Sequence, residues 1–431
     1  MINQNSQESI NKNALNNDAL TQRFLTVRQQ TIDICSPLEI EDFAVQPNAD
    51  TSPPKWHLGH LTWFFEELIL VKYSLGYRRF NAGFSQVFNS YYKALGPHTA
   101  QSNRGQLSRP TVAQILAYRL HVDKHLVAFL QQQAISAEIE FLIETGIHHE
   151  QQHQELLYMD IKVILAANAL QTNYSNLALA PAKKPNLGWA AFNEGLYQIG
   201  FVDDGLNAAF AYDNEKPNHK SYLYAFEISQ TLVTNGDYLA FIEDKAYSKP
   251  QYWLSLGWDW VNQQHITQPL YWLKIDGVWH EYTLHGLLPL DLNRPLVHIS
   301  YFEAEAFARW KNARLPTEQE LEVFLIETNS KPTKPETNAL HSHNALHPND
   351  AANLSGQVWC WTQSQYSAYP RFKAFDGLLT EYNGKFMCNQ FVLKGGCVVT
   401  PSNHYRHSYR NFYPPHQRWM FSGIRLAKDS V

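Results

Sequence analysis

The sequence predicts two structural halves, a helical bundle followed by a mixed α+β domain. The first half, to about residue 168, contains four long segments with apolar residues at three- and four-residue intervals, the repeat of an amphipathic helix. The second half has short apolar runs between many Gly, Pro and Asn residues, which is typical of short strands and irregular loops. A chain of 431 residues with 44% hydrophobic residues is long enough for two packed domains. We place these domains at 14–175 and 186–428.

The four amphipathic segments are predicted to pack as a four-helix bundle. The first covers 14–35, and the second begins after Pro53-Pro54, because proline is accommodated in the first helical turn. The third follows Pro110, and the fourth begins near Ser136 and runs to about residue 168. The connection from about 76 to 109 is long for a bundle, and long ordered connections are often functional.

The linker LALAPAKKPNLG, residues 177–188, ends the helical pattern. Beyond it the sequence predicts one clear helix, YFEAEAFARWKN at 301–312, among short strands. Net charge of −5 with mixed signs argues against nucleic-acid binding, which needs a strongly basic surface. We expect no signal peptide and no membrane span, since no apolar run is long enough. Four cysteines without CxxC spacing predict reduced thiols in the cytoplasm, and the pattern does not specify an oligomeric state.

The clearest chemical pattern is GIHHEQQHQELL on the fourth predicted helix. His149 and His153 are four residues apart, which places them on one helix face. His60, in WHLGHLTWF on the second helix, can meet them inside a bundle. Three imidazoles are typical metal ligands and leave coordination positions open. His57 and His148 are competing candidates, and a His pair with this spacing also occurs on solvated helix surfaces.

The same segment, HEQQH, matches the HExxH pattern of zinc hydrolases, in which Glu150 would act as general base. The metzincin extension requires histidine at position 159, where this chain has Met159. At this point the zinc hydrolase remains an alternative, as does a lectin-like binding protein without catalytic activity.

Two sets of motifs resemble known families. The histidines, the HxxxHxE pattern that ends at Glu155, and the loop FNSYYKALGPHTAQSNRGQLSRPT (88–111) resemble the DinB-like bundle of ergothioneine-type sulfoxide synthases. The second half resembles the formylglycine-generating-enzyme (sulfatase-modifying factor) fold, a C-type-lectin-like domain. Its matching segments, in family order, are GLYQIG, DNEKPNH, FEISQTLVTNGDYLAFIED, PLVHISYFEAEAFARWKNARLPTEQELE, GQVWCWTQS, VLKGG and FSGIRLA. Together the resemblances cover almost the whole chain.

The resemblance implies a non-haem Fe(II) enzyme with O₂ as co-substrate. It implies a C–S bond between cysteine and C2 of hercynine, with formation of a sulfoxide. The implied iron ligands are His60, His149 and His153, and the implied proton donor is Tyr92, with Tyr91 as the second choice. Aromatic faces suit the trimethylammonium group of hercynine, and arginine suits a carboxylate. The implied substrate contacts are Gln152, Asn411, Phe412, Tyr413, Arg104 and, as the alternative arginine, Arg109.

Two departures from the resembled families refine the expected chemistry. Actinobacterial synthases carry a Trp–Asp pair after the late Arg-Asn, whereas this chain has Phe412-Tyr413, so we expect free cysteine rather than γ-glutamylcysteine as the donor. Cys397 has no later cysteine to pair with, which disfavours formylglycine chemistry. A synthase that uses histidine as acceptor (ovothiol-type) or a selenosugar as donor (selenoneine-type) remains open.

Overall fold

The chain divides into two compact units, Met1–Ala167 and Asn168–Val431. The computed structural model describes residues 2–90, 92–132, 135–185, 188–203, 210–328 and 346–430, with side chains from residue 17 onward. Unit 1 is helical, and unit 2 carries the strands found in the described residues. The predicted fold class, α followed by α+β, is therefore confirmed. The domain limits 14–175 and 186–428 remain predictions.

The described residues of unit 1 include four long helices, as the apolar periodicity predicts. A π-helical turn, Glu66–Leu70, extends the second of them. The first helix begins earlier than the predicted residue 14. The helices are α1 Ile2–Cys35, α2 Pro54–Phe65, α3 Val71–Tyr73, α4 Phe84–Val87, α5 Val112–Gln132 and α6 Ala137–Ala167.

A buried charge cluster, formed by Arg28, Arg119, Asp123 and Glu150, ties the four long helices together. Arg28 on α1 donates to Asp123 on α5 over 2.7 Å and to Glu150 on α6 over 2.9 Å. It also donates to Thr62 on α2 over 3.0 Å. Arg119 on α5 donates to the second oxygen of Glu150. Because every partner is paired, the cluster links the helices without leaving a buried charge uncompensated.

The described residues of unit 2 form four small sheets. The strands are β1 Trp189–Phe192, β2 Gly195–Ile199, β3 His219–Leu223, β4 Phe226–Ser229, β5 Trp272–Ile275, β6 Val278–Thr283, β7 Gly286–Pro289, β8 Trp359–Gln365, β9 Phe391–Lys394, β10 Asn411–Tyr413, β11 Ser422–Gly423 and β12 Ala427–Asp429. The sheet orders are β1-β4-β12, β10-β9-β8-β11, β2-β3 and β5-β6-β7, and all pairs are antiparallel except β8 with β11.

The described part of unit 2 has four helices, where the sequence pattern predicts one. The predicted helix is α9 Tyr301–Trp310, and the others are α7 Asn235–Glu243, α8 Ser255–Gln263 and α10 Glu318–Glu327. The missed helices have nine or ten residues, about the length of α9, so length does not distinguish them from the helix that the sequence predicts. Two of them begin at capping boxes, Thr234 with Asp237 and Thr317 with Glu320, and that signal marks a helix start in a sequence.

None of the helices in the described part combines the length and apolar character needed for a membrane span. None of the four cysteines, all of which lie in described segments, forms a disulfide.

Candidate metal centre

Three buried histidines of unit 1 converge on one point. Each of His60, His149 and His153 offers a ring nitrogen, and these nitrogens all lie within 4.8 Å of one another. The side chains are 2%, 7% and 9% exposed, respectively. In the part of the chain that the structure describes, this is the one group of three or more His, Cys, Asp or Glu side chains that has the geometry of a metal site. Glu155 does not belong to the group.

Helix geometry explains the convergence. His149 and His153 are one turn apart on α6, so their rings lie side by side with centroids 4.6 Å apart. His60 faces them from α2, at 5.0 Å from His149 and 5.1 Å from His153.

Two indoles on α2 hold the ring of His60. Trp56, one turn before it, stacks at 4.6 Å between ring centroids, and Trp63, nearly one turn after it, stacks at 5.6 Å. Gly59 allows the segment after α4 to approach α2 closely, since a Cβ at this position would lie 2.2 Å from the ring of Phe88. The carbonyl oxygen of Phe88 accepts a hydrogen bond from Nδ1 of His60 over 2.7 Å. The ring is thereby fixed on its faces and at one edge, which leaves Nε2 for a ligand.

Burial keeps the three imidazoles neutral. It lowers the pKa of His149 to about 3, and the pKa values of His60 and His153 also lie well below their usual range. Neighbouring imidazoles and Arg104 add to the effect of burial on His60 and His153. A neutral imidazole has a lone pair to donate, so the cluster is in its metal-binding form at neutral pH.

A second pair of residues lies behind His153. Nδ1 of His57 is 2.7 Å from Nδ1 of His153, and Nε2 of His57 is 2.8 Å from Oδ2 of Asp160. The backbone N–H of Ser52 donates to the same carboxylate oxygen over 2.9 Å. His57 therefore contacts the cluster through His153 and is not one of its three members.

The other competing residues on α6 point away from the cluster. The ring of His148 lies 3.0 Å from the guanidinium of Arg23. Both oxygens of Glu150 accept hydrogen bonds within the buried charge cluster. Burial alone would raise the pKa of Glu150, but Arg119 and Arg28 outweigh it and the pKa lies below its usual value. A carboxylate held in this way is a poor general base for a water at the histidines, which argues against the zinc hydrolase.

Comparison with known proteins identifies both halves. Residues 23–157 match the DinB superfamily, and residues 191–331 and 323–430 match the sulfatase-modifying factor enzyme 1-like domain. The hercynine oxygenase of Mycobacterium tuberculosis is 30% identical over 315 residues, which cover 67% of this chain and 72% of that protein. The hercynine oxygenase of Mycolicibacterium thermoresistibile is 30% identical over 310 residues, 66% of this chain and 68% of that protein.

The chain belongs to the hercynine oxygenase family.

A eukaryotic relative of this hercynine oxygenase-family chain is the ergothioneine biosynthesis protein 1 of Schizosaccharomyces pombe. It is 30% identical over 232 residues, which cover 51% of this chain and 28% of that protein. The resemblance stated from the sequence motifs is thus confirmed. Membership makes the chain an oxidising enzyme.

In this hercynine oxygenase-family chain, two predicted residues of the loop lie next to the indoles of α2. The ring of Tyr92 is buried, 5.5 Å from that of Trp63. Cζ of Arg104, also buried, lies 3.3 Å from the ring centroid of Trp56, and its Nη1 donates to Ser52 Oγ over 2.8 Å. Each side chain is therefore one indole away from His60.

The other predicted residues of unit 1 are less closely connected to the cluster. Arg109 is exposed and contacts the carbonyl of Ser108 at 3.4 Å. Gln152 is half-buried on α6, immediately before His153. Tyr91 lies outside the described residues.

Three predicted residues form the short strand β10 of unit 2, paired with β9. Asn411, Phe412 and Tyr413 are all half-buried. Phe412 stacks on Tyr366 with ring centroids 4.0 Å apart, and the ring of Tyr413 lies 6.0 Å from that of Trp419. The packing role of Phe412 thus has direct support, while part of each ring remains accessible to a ligand.

The sequence does not predict the supporting roles of His57 and Asp160. It offers His57 only as a rival ligand, and no motif includes Asp160. The one available signal is spacing, because His57 is three residues before His60 and Asp160 is seven after His153, so each lies on the face of a ligand.

Proposed function

We propose that this chain is an Fe(II)- and O₂-dependent sulfoxide synthase that joins the sulfur of cysteine to C2 of hercynine in ergothioneine biosynthesis. The observation that carries the proposal is the buried cluster of three neutral imidazoles in a member of the hercynine oxygenase family. The similarity to an ergothioneine biosynthesis protein supports the pathway. We also propose a cytoplasmic location and no nucleic-acid or membrane partner.

The residues present fit an iron ion. Imidazole nitrogen is a suitable ligand for Fe(II), and the three nitrogens leave further coordination positions open. Bound there, Fe(II) supplies a site at which a thiol and O₂ can react. The three imidazoles bring no negative charge, unlike the two-His-one-carboxylate arrangement. The cluster therefore favours an anionic ligand from the substrate, such as the thiolate of cysteine.

Arg104 is our choice for the cysteine carboxylate. Its guanidinium lies against Trp56, which also stacks on His60, so a carboxylate bound to it can place its thiol near the cluster. The hydrogen bond to Ser52 uses one nitrogen and fixes the orientation of the group. Arg109 is the alternative, and its exposure makes it more suitable for guiding an anion than for orienting one.

For hercynine we propose Gln152 as the contact to the imidazole and Asn411 as a second polar contact. Phe412 and Tyr413 offer ring faces to the trimethylammonium group, which cannot donate a hydrogen bond. Histidine would not need these faces, so the two acceptors can be distinguished by the Phe412→Leu variant. That change should weaken hercynine binding and leave histidine binding unaltered.

Tyr92 is the proposed proton donor, with Tyr91 as second choice. A buried phenol near the cluster can deliver a proton to reduced oxygen. We expect Tyr92→Phe to bind iron with unchanged affinity and to lose sulfoxide formation, by about 10²–10⁴-fold in rate. The matched control is Tyr73→Phe, which removes a hydroxyl that donates to Glu138 on the surface. Unchanged sulfoxide output from Tyr92→Phe would exclude Tyr92 as the donor.

The decisive experiment loads the full chain with Fe(II) without oxygen. It then supplies O₂ with each donor (cysteine, γ-glutamylcysteine, a selenosugar) and each acceptor (hercynine, histidine). Product masses identify the pair used, and O₂ uptake should require both substrates. His149→Ala should abolish uptake, whereas His148→Ala, a change at the adjacent buried histidine, should not. Equal activity in the two variants, or activity with zinc and no O₂, would overturn the proposal.

A further inference from the structure

The proposed ligands have different hydrogen-bond partners. Nδ1 of His60 donates to a backbone carbonyl, that of Phe88. Nδ1 of His153 instead meets a second imidazole, His57, which is in turn bonded to the carboxylate of Asp160. His57 and Asp160 are each 2% exposed, so solvent does not compete for these bonds. His153 is thus connected through one ring to a buried carboxylate.

The proton between the two rings decides whether His153 can bind a metal. Two Nδ1 atoms 2.7 Å apart must share one proton. If His57 carries it, His153 accepts at Nδ1, and a neutral His153 must then hold its own proton on Nε2. If His153 carries it, Nε2 keeps a free lone pair. Only the second arrangement provides a ligand.

Asp160 selects the second arrangement. Its carboxylate is placed to accept the Nε2 proton of His57, which leaves Nδ1 of a neutral His57 as an acceptor. The N–H of Ser52, directed at the same oxygen, fixes the carboxylate. His153 then donates to His57, and His57 donates to Asp160. Both hydrogen bonds point away from the cluster.

We infer that His57 and Asp160 are positioning residues that hold His153 in the tautomer presenting Nε2 to the metal and strengthen it as a donor. The inference deepens the proposed function, because it rests on a metal bound by the three histidines. Partners of this kind typically change metal affinity by about 10–100-fold when they are removed. Asp160 also brings a negative charge behind a ligand set that is itself neutral.

The test measures Co(II) and Zn(II) affinity of the full chain by competition with a chelator, together with the visible absorption of the Co(II) form. His57→Phe removes the acceptor and should weaken affinity by about 10–100-fold and shift the Co(II) spectrum. Asp160→Asn, which keeps the size of the side chain, should do so to a smaller extent. The matched control is Glu281→Gln in unit 2, which neutralises another buried carboxylate 3.3 Å from a histidine, His347.

The outcomes separate this inference from the proposed function. The control should cost stability and leave affinity and spectrum unchanged. If wild-type protein binds one Co(II) and both His57→Phe and Asp160→Asn bind it equally well with the same spectrum, the positioning role is wrong and the metal site stands. If the wild type binds no metal, both proposals fail. Should His57→Phe not fold, Asp160→Asn decides the question alone.

Discussion

Replacing Glu150 by glutamine tests whether this residue supports the bundle or acts as a catalytic base. Its carboxylate accepts from Thr31 over 2.6 Å, from Arg28 over 2.9 Å and from Arg119. Glutamine keeps the size but changes the net charge of the buried charge cluster from zero to +1, with Asp123 as the remaining anion. Removing one partner of a buried ion pair costs about 3–5 kcal/mol. We expect a loss of that size in the free energy of unfolding.

The assay is urea unfolding followed by far-UV circular dichroism, which is dominated by the helices of unit 1. The matched control is Glu144→Gln, on the same helix, where the carboxylate also accepts two hydrogen bonds from an arginine, Arg23, but both side chains are partly exposed. An exposed pair contributes at most about 1 kcal/mol.

A catalytic base would behave in the opposite way. Glu150→Gln would then keep wild-type stability and metal content and lose turnover. Equal stability of the two variants would refute the structural role of Glu150, and loss of turnover at wild-type stability would also restore the zinc hydrolase.

Three further predictions concern the metal centre. The pKa of His149 is about 3 in the folded chain and 6.5 in the unfolded chain. Lowering the pH from 7 to 5 should therefore lower the free energy of unfolding of the metal-free protein by about 2 kcal/mol through this residue. The loss occurs because only the unfolded state binds the proton. The denaturation midpoints at pH 7 and pH 5 should therefore differ less for His149→Gln than for the wild type. Gly59→Ala should lower the free energy of unfolding by about 1–3 kcal/mol and weaken Co(II) binding, because the new Cβ displaces Phe88. An unchanged affinity would show that the loop carrying Phe88 can move freely. Arg104→Gln should raise KM for cysteine at least tenfold with a smaller effect on kcat, and kinetics in which KM is unchanged would exclude it as the carboxylate partner.

The elements that the sequence predicts are those with local signals. The bundle helices have long apolar periods, and His149 and His153 are placed on one face by their spacing alone. The capping boxes of α7 and α10 are equally local signals, and they mark two helix starts that apolar periodicity does not predict. The contacts between helices are different, because His57 and His153 are separated by 96 positions and no pattern in the chain connects them. For the same reason Arg28 and Glu150 could not be paired before the fold was known.

No sequence signal shows that neighbouring residues of α6 face different sites. Consecutive residues of a helix point in directions about 100° apart. His149 therefore faces the cluster while Glu150 faces the buried charges. HEQQH can be read as a hydrolase motif only if both are assumed to serve one site, and the structure separates them.

The two indoles beside His60 give the protein an optical reporter of its own metal content. Of its twelve tryptophans, Trp56 and Trp63 are the only two in unit 1, and both stack on His60. An open-shell ion at this ring would quench their fluorescence, whereas closed-shell zinc would affect it much less. Occupancy can therefore be followed by the change in tryptophan emission of the unlabelled chain.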